Sequence, residues 1–539
     1  MSTLKLLRFL SIDGPGAYFP RCRPSATSSE ISNLGALPAS PPHTSLLHRA
    51  PLALGKASIM TTANEQTRTD RLIKWAVTLK YSDIPDHVIQ RTKDFFLDTL
   101  GCAIAGRDHP AVSAMVRFAA QMGPSCGKSE LIDSSQNLTT SPAFASLINA
   151  AASHVVEQDD LHNRSIMHPA TVIFPAALAV AQDLGASGQE FIAACVVGYE
   201  VGCRVGEYLG KSHYEKFHST ATGGVIGVAA AVSHLLKLDA NQTLSAVGTA
   251  GTQAAGLWQF LIDATHSKQV HTAKACFDGI FAAYSARDGL LGPRDILEGP
   301  RAMGAALVPG ETNPEAIDRN LGLDYAVVRS SFKWHASCRH THPSVDALLH
   351  LMMKHSVGFD DIDSIRVPTY QAAIDVLGLS GEGDTVHQSK FSMGFVLAIA
   401  AKKGQAMITD FTEEDLKDPS LRAFQKRVKM EFDERIDAQF PEKWQGTVVV
   451  TCKSGNSFTE SVEFAKGDPE FPLTRYVSRV LHGGNQVGLE YSLNSRSEIE
   501  AKTHALARYG GITDASKVDS LIERAWNLER EMDVRGFFF

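Results

Sequence analysis

The sequence has no Cys-x-x-Cys pair, and its 8 cysteines are scattered through 539 residues. Zinc ribbons and thioredoxin-type redox motifs are thereby excluded, and a disulfide framework does not suit a chain of this length. The expectation is a reducing compartment, cytoplasmic or mitochondrial rather than secreted. No apolar run approaches the ~18 residues of a membrane span, and the apolar stretch Thr171 to Ala181 reads as buried helix. Positive charge is not in excess either. The net charge of −7 argues against nucleic acid or a membrane surface as partner, because phosphate binding needs concentrated Lys and Arg. A small anionic substrate is compatible, since a pocket can be locally basic inside an acidic shell. Internal repeats are also absent.

What is present is a globular composition, 44% hydrophobic and 21% charged. The length exceeds one core at roughly 150 residues per domain. Residues 1–65 stand apart. They are rich in Pro and Ser, and Arg8, Arg21, Arg23 and Arg49 outnumber Asp13 and Glu30. Such a segment buries too little apolar surface to offset its ordering entropy, so it is expected to be a disordered leader or extension. A mitochondrial presequence and a dispensable extension, with Met60 as alternative start, are the two readings.

Residues 66–326 read as helix after helix. Leu72, Trp75, Ala76 and Leu79 share one 3.6-residue face. Asp86 is placed to cap the next helix, with Val88, Thr92, Phe95, Phe96 and Leu100 as its stripe. Later helices are rich in Ala and Gly, and Gly223 to Gly227 reads as close helix packing rather than a phosphate loop, because no strand precedes it. Residues 327–466 read as an α+β unit. It has a strand at 364–369, helices at 389–402 and 413–430, and a hairpin of Thr447–Cys452 with Ser457–Phe464. From 467 to 539 the chain returns to amphipathic helix that packs back on the first domain. The fold class is mostly α, a large all-helical domain with an inserted or appended smaller α+β lid domain.

Ten of the 20 His fall in four groups: 154/162/168, 213/218, 266/271 and 335/340/342. The densest motif is Glu157-Gln158-Asp159-Asp160-Leu161-His162, followed by His168-Pro169. Carboxylates beside imidazoles raise their pKa and set their tautomer, as a general acid or base needs. A polar helix end capped by Asp and a metal site are the competing readings, although no His-x-x-x-His or Cys partner accompanies it. His218 opens the Gly-rich helix, where the imidazolium is disfavoured. Lys268 and His271 lie three apart on one helical face. In Ser337-Cys338-Arg339-His340-Thr341-His342-Pro343, Arg339 offers a bidentate grip on a carboxylate; a surface loop is the alternative. This inventory suggests a polyanionic small substrate and acid/base chemistry.

At Asp159-Asp160-x-His162 and His168-Pro169 the chain resembles the MmgE/PrpD family, which contains 2-methylcitrate dehydratases and cis-aconitate decarboxylases. The likeness continues, in order over about 66–535, through Phe217-His218-Ser219-Thr220, Lys268-Gln269-Val270-His271, the Cys338-Arg339-His340 segment and Lys390-Phe391-Ser392-Met393-Gly394-Phe395. The resemblance implies a helical domain with an inserted lid, a site between them using neither metal nor cofactor, a small tricarboxylate substrate and a homodimer. It implies Asp160, His162, His168, His218 and His271 as catalytic residues, and Lys268, Cys338, Arg339, His340 and Phe395 as substrate-binding ones. Phe395 stands where decarboxylases of the family carry a substrate-contacting Tyr. Leu161-His162 stands where bacterial dehydratases carry Thr-Trp, and is closer to fungal-type decarboxylases. The expected reaction is decarboxylation of cis-aconitate or an alkyl analogue. Dehydration of 2-methylcitrate or a longer alkylcitrate, an epimerase or isomerase, and a non-catalytic relative are the alternatives.

Overall fold

The computed structural model describes residues 66–132, 138–263, 265–378, 383–473, 477–480, 488–491 and 497–537; the expected leader 1–65 lies outside them. The first helix, α1 (Arg68–Thr78), starts where Thr67 and Asp70 cap each other's backbone amides. It buries Leu72, Ile73 and Ala76, while Trp75 is half-buried. The next, α2 (Asp86–Gly106), departs from expectation at its start. Pro85, in extended geometry, holds the cap position, so Asp86 lies in the first turn. There its carboxylate faces the positive end of the helix dipole instead of bonding an orphan amide. Val88, Thr92, Phe95, Phe96 and Leu100 are all buried.

The body continues with α3 (Pro110–Met122), α4 (Pro142–Val155), α5 (Ala170–Leu184), α6 (Gly188–Tyr214), α7 (Ser219–Leu235), α8 (Ala240–Gly251) and α9 (Ser267–Arg287). Where α6 crosses α7 the backbones nearly touch: a Cβ on Gly227 would sit 2.7 Å from the Gly198 oxygen. Only glycine permits that approach. It draws the α7 N-terminus and the loop before α5 onto one spot, with Met167 packed between Gly206 and Gly223.

The lid begins with α10 (His342–His355) and carries one four-stranded sheet. Calling the loop strand Leu161–His162 β1 and its partner Ser330–Ser331 β2, the sheet strands are β3 (Ile362–Thr369), β4 (Val428–Phe432), β5 (Gly446–Cys452) and β6 (Ser457–Val462), in spatial order β4-β3-β5-β6. β3 pairs parallel with β4 and antiparallel with β5. The expected helix over 413–430 is instead two short helices, Glu413–Lys417 and Pro419–Gln425, followed by β4. Pro419 opens a new helix, and the parallel partner that makes 428–432 a strand lies some sixty residues earlier. The 389–402 helix likewise splits into Val386–Ser389 and α11 (Met393–Lys403), which Ser392 caps.

The C-terminal helices α12 (Ser497–Tyr509) and α13 (Ala515–Trp526) lie against α2. Lys502 reaches Asp98 at 2.6 Å, and Lys93 donates to the Trp526 carbonyl at 2.7 Å. One apolar core runs through body and lid. No described helix is long and apolar enough to cross a membrane.

Candidate active site

The site grows from the loop between α4 and α5. Glu157 (φ 60°) and Ile166 (φ 51°) both occupy the left-handed region, a strained conformation for side chains larger than glycine, and both line the same cavity. β1 pairs with β2, which ties this loop to the segment that enters the lid. The cavity measures about 20 Å³, room for a water molecule or so.

One wall is cationic. Glu157 is gripped by Lys268 at Oε1 and by Lys333 at Oε2, 3.2 Å away, all three buried. Burial alone would raise the Glu157 pKa, yet the two ammonium groups hold it well below the carboxylate range. Arg339 is buried and pairs through Nη2 with Asp468, while its Nε and Nη1 have no partner among the described residues. A buried guanidinium with two idle donors on a cavity wall is built for a carboxylate. The same cavity also has apolar lining, from Leu161, Ile166, Val376 and Trp444.

Histidines line the cavity and stand behind it. His168 Nδ1 lies 2.5 Å from the Asp160 main-chain oxygen and 3.6 Å from Asp159 Oδ2. His154 Nδ1 bonds Asp159 at 2.7 Å, and its ring stacks on that of His218. His218, the cap residue of α7, meets His271 with Nδ1 atoms 3.3 Å apart. Burial lowers the pKa of His168 and His218 far below the ordinary value, and that of His271 to about 4. These rings are therefore neutral at pH 7, each with one donor and one acceptor nitrogen. His340 bonds Tyr370 at 2.7 Å and stacks on Trp444 at 4.7 Å.

Of the residues implied by the resemblance, His168, His218, Lys268, Cys338, Arg339 and His340 line the cavity. His271 stands one contact behind, through His218. Asp160 lies behind His168. Its carboxylate accepts from Ala170 N at 2.9 Å, where α5 begins, and from the Tyr199 hydroxyl at 2.9 Å. His162 turns away, bonding Ser165 at 2.8 Å and approaching Glu207. Phe395 is fully buried on α11 with Arg422 over its ring, and does not line the cavity. Cys338 lines it, but burial raises its thiol pKa, so it is no ready thiolate. Sequence reasoning missed Tyr214, Trp258, Lys333 and Trp444, and left Glu157 without a role. Lys333 had a signal, a lone cation between Phe332 and Trp334. Trp444 had none, because it reaches the site from the far end of the lid.

Among the described residues no group of His, Cys, Asp and Glu is disposed to hold a metal ion. A helical body and an α+β lid meet at a pocket that combines buried cations, neutral histidines and apolar side chains, a set chemically suited to a small polyanion and to proton transfer. The chain belongs to the MmgE/PrpD family: residues 70–315 match the MmgE/PrpD N-terminal domain and residues 335–477 the C-terminal domain. It is 29% identical to the cis-aconitate decarboxylase-like protein oryM of Aspergillus oryzae, over 75% of this chain and 88% of that protein. It is 26% identical to cis-aconitate decarboxylase of Aspergillus terreus, over 86% and 94%. The human cis-aconitate decarboxylase is 26% identical over 74% and 83%.

Proposed function

We propose that this protein is a carbon–carbon lyase that decarboxylates cis-aconitate or an alkyl analogue of it. The observation that carries this reading is the mixed lining of one cavity: Lys268, Lys333 and the idle donors of Arg339 together with the apolar Leu161, Ile166, Val376 and Trp444. Carboxylates that must stay charged sit on the cations. The departing carboxylate faces apolar side chains, where the charged form is disfavoured and neutral CO2 is not. When the bond to that carboxylate breaks, its electron pair moves into the neighbouring unsaturated carboxylate, and a proton then closes the vacated carbon. His218 supplies it from Nε2 while its Nδ1 takes the proton of His271, which solvent replaces, because the His168 proton is engaged with the Asp160 carbonyl. A cavity of about 20 Å³ does not admit a tricarboxylate, so the lid parts to load and closes for chemistry.

Dehydration of 2-methylcitrate or a longer alkylcitrate is the second reading, favoured by one observation. With Nδ1 donating to a carbonyl, His168 presents an unprotonated Nε2, a base suited to removing a proton α to carboxylate. Purified protein incubated with cis-aconitate, 2-methylcitrate and an alkylcitrate, followed by NMR, separates the two. CO2 release without water loss supports decarboxylation, water loss with carbon count intact supports dehydration, and no turnover of any of the three overturns both.

The reading extends to a homodimer. Phe118, Val270 and Phe281 are each about half exposed, and Phe118, Phe144 and Phe277 make a chain of ring contacts across α3, α4 and α9. That apolar face is the place for a second copy.

A further inference from the structure

Beside the closed cavity lies a second, much larger space of about 710 Å³, in the crease between the ends of α2, α4 and α12 and the lid. The two share a thin wall. Val156 and Lys390 face the cleft, while their chain neighbours Glu157 and Phe391 face the cavity. Lys390 Nζ donates to the Val156 carbonyl at 3.1 Å. Phe391 is met by the His387 ring at 5.2 Å and by the Lys268 ammonium at 5.0 Å.

Lys390 is 5% exposed, and no described carboxylate pairs with it. The nearest buried acid, Glu157, is already shared by Lys268 and Lys333. A buried ammonium without a counter-ion is expensive, and burial lowers its pKa only to about 8, so it stays charged at neutral pH. His387 and His109 line the same cleft, with pKa values that burial lowers to about 3 and about 4. They serve as neutral N–H donors there. His109 Nδ1 accepts from the Ala111 amide at 3.2 Å, which puts its proton on Nε2. Two acids also line the cleft, Asp108 and Glu413, but both are exposed at its mouth.

We propose that this cleft is a second polycarboxylate-binding site, an antechamber in which Lys390, His109 and His387 hold an anionic substrate before it passes Phe391 into the cavity. The substrate class rests on the lyase reading above; the cation, the donors and the volume do not.

The test is a crystal structure with citrate, a tricarboxylate without the double bond that the decarboxylation uses, paired with kinetics on cis-aconitate. Expected are citrate carboxylates on Lys390 in the wild type and none there in Lys390→Met. The Lys390→Met variant loses at least tenfold in kcat/KM, and Lys390→Arg regains it. Thr409→Trp, which fills the exposed mouth without touching Lys390, lowers kcat/KM as well. Citrate confined to the catalytic cavity, citrate retained in the cleft of Lys390→Met, or kcat/KM unchanged in that variant overturns the antechamber. A wild type that binds citrate at Lys390 yet turns over no tricarboxylate sinks the lyase reading and leaves the cleft standing.

Discussion

His168 directs its Nδ1 at the main-chain oxygen of Asp160, 2.5 Å away. A carbonyl only accepts, so the proton is on Nδ1 and Nε2 is left as a bare acceptor. His218 has the opposite opportunity, since its Nδ1 meets another imidazole. The two rings therefore divide acid from base. If decarboxylation is the reaction, His218→Asn lowers kcat by about 10²–10⁴ and His168→Asn less; if dehydration, the two are lost alike. Steady-state rates of both variants decide it, and equal retention of activity would remove both from the chemistry.

Arg339 spends one nitrogen on Asp468 and keeps Nε and Nη1 unpaired. Lysine reproduces the charge but not the fork. Arg339→Lys is expected to raise KM for a tricarboxylate by about tenfold or more, in line with roughly 1.5–3 kcal/mol for a charge-assisted hydrogen bond. A KM within twofold of wild type would place the carboxylate elsewhere.

Of the four residues implied by the family resemblance that lie off the cavity, His162 and Phe395 also make no contact with its histidines, and their variants have the opposite signature. His162 braces Ser165, and Phe395 fills the lid core. His162→Ala and Phe395→Tyr should each cost about 1–3 kcal/mol of stability, one by losing a buried hydrogen bond and the other by burying a hydroxyl. The folded enzyme should keep its rate. Urea melts beside activity assays test this. A Phe395→Tyr variant that gains activity would return position 395 to the pocket.

The buried imidazoles also set a pH dependence. Burial lowers the pKa of His168, His218, His340 and His342, and in the lid cleft that of His387. In the unfolded chain the same rings titrate near the ordinary value of about 6.5. Between that value and the depressed folded ones, the unfolded state binds more protons, so acid favours unfolding. Stability should be full above about pH 6.5 and fall steadily as pH drops below it. Thermal melts from pH 8 to pH 4.5 measure the slope; a flat profile would mean that the rings are solvated.

If the face around Phe281 holds a second copy, Phe281→Glu should convert the particle to a monomer by light scattering. An unchanged mass would move the interface to another surface.

The sequence by itself determined the helical body, the position of most helices and the family. The reason is local: Leu72 and Ala76, or Val88, Thr92 and Phe95, repeat at helical spacing and are buried in that order. The histidine motifs were legible because acids and imidazoles crowd within a dozen residues. What only the tertiary structure decided is pairing at a distance. β4 is a strand because β3 accepts it, and Trp444 enters the cavity because the lid folds over. Glu157 becomes a carboxylate held between two lysines 111 and 176 residues away. Of two histidines six residues apart in one loop, His168 faces the cavity and His162 faces Glu207. No spacing rule separates them, because the left-handed turn at Ile166 that divides their directions, closed by the His162–Met167 backbone bridge, is also set by packing of Ser165 and Met167 against Gly206 of α6.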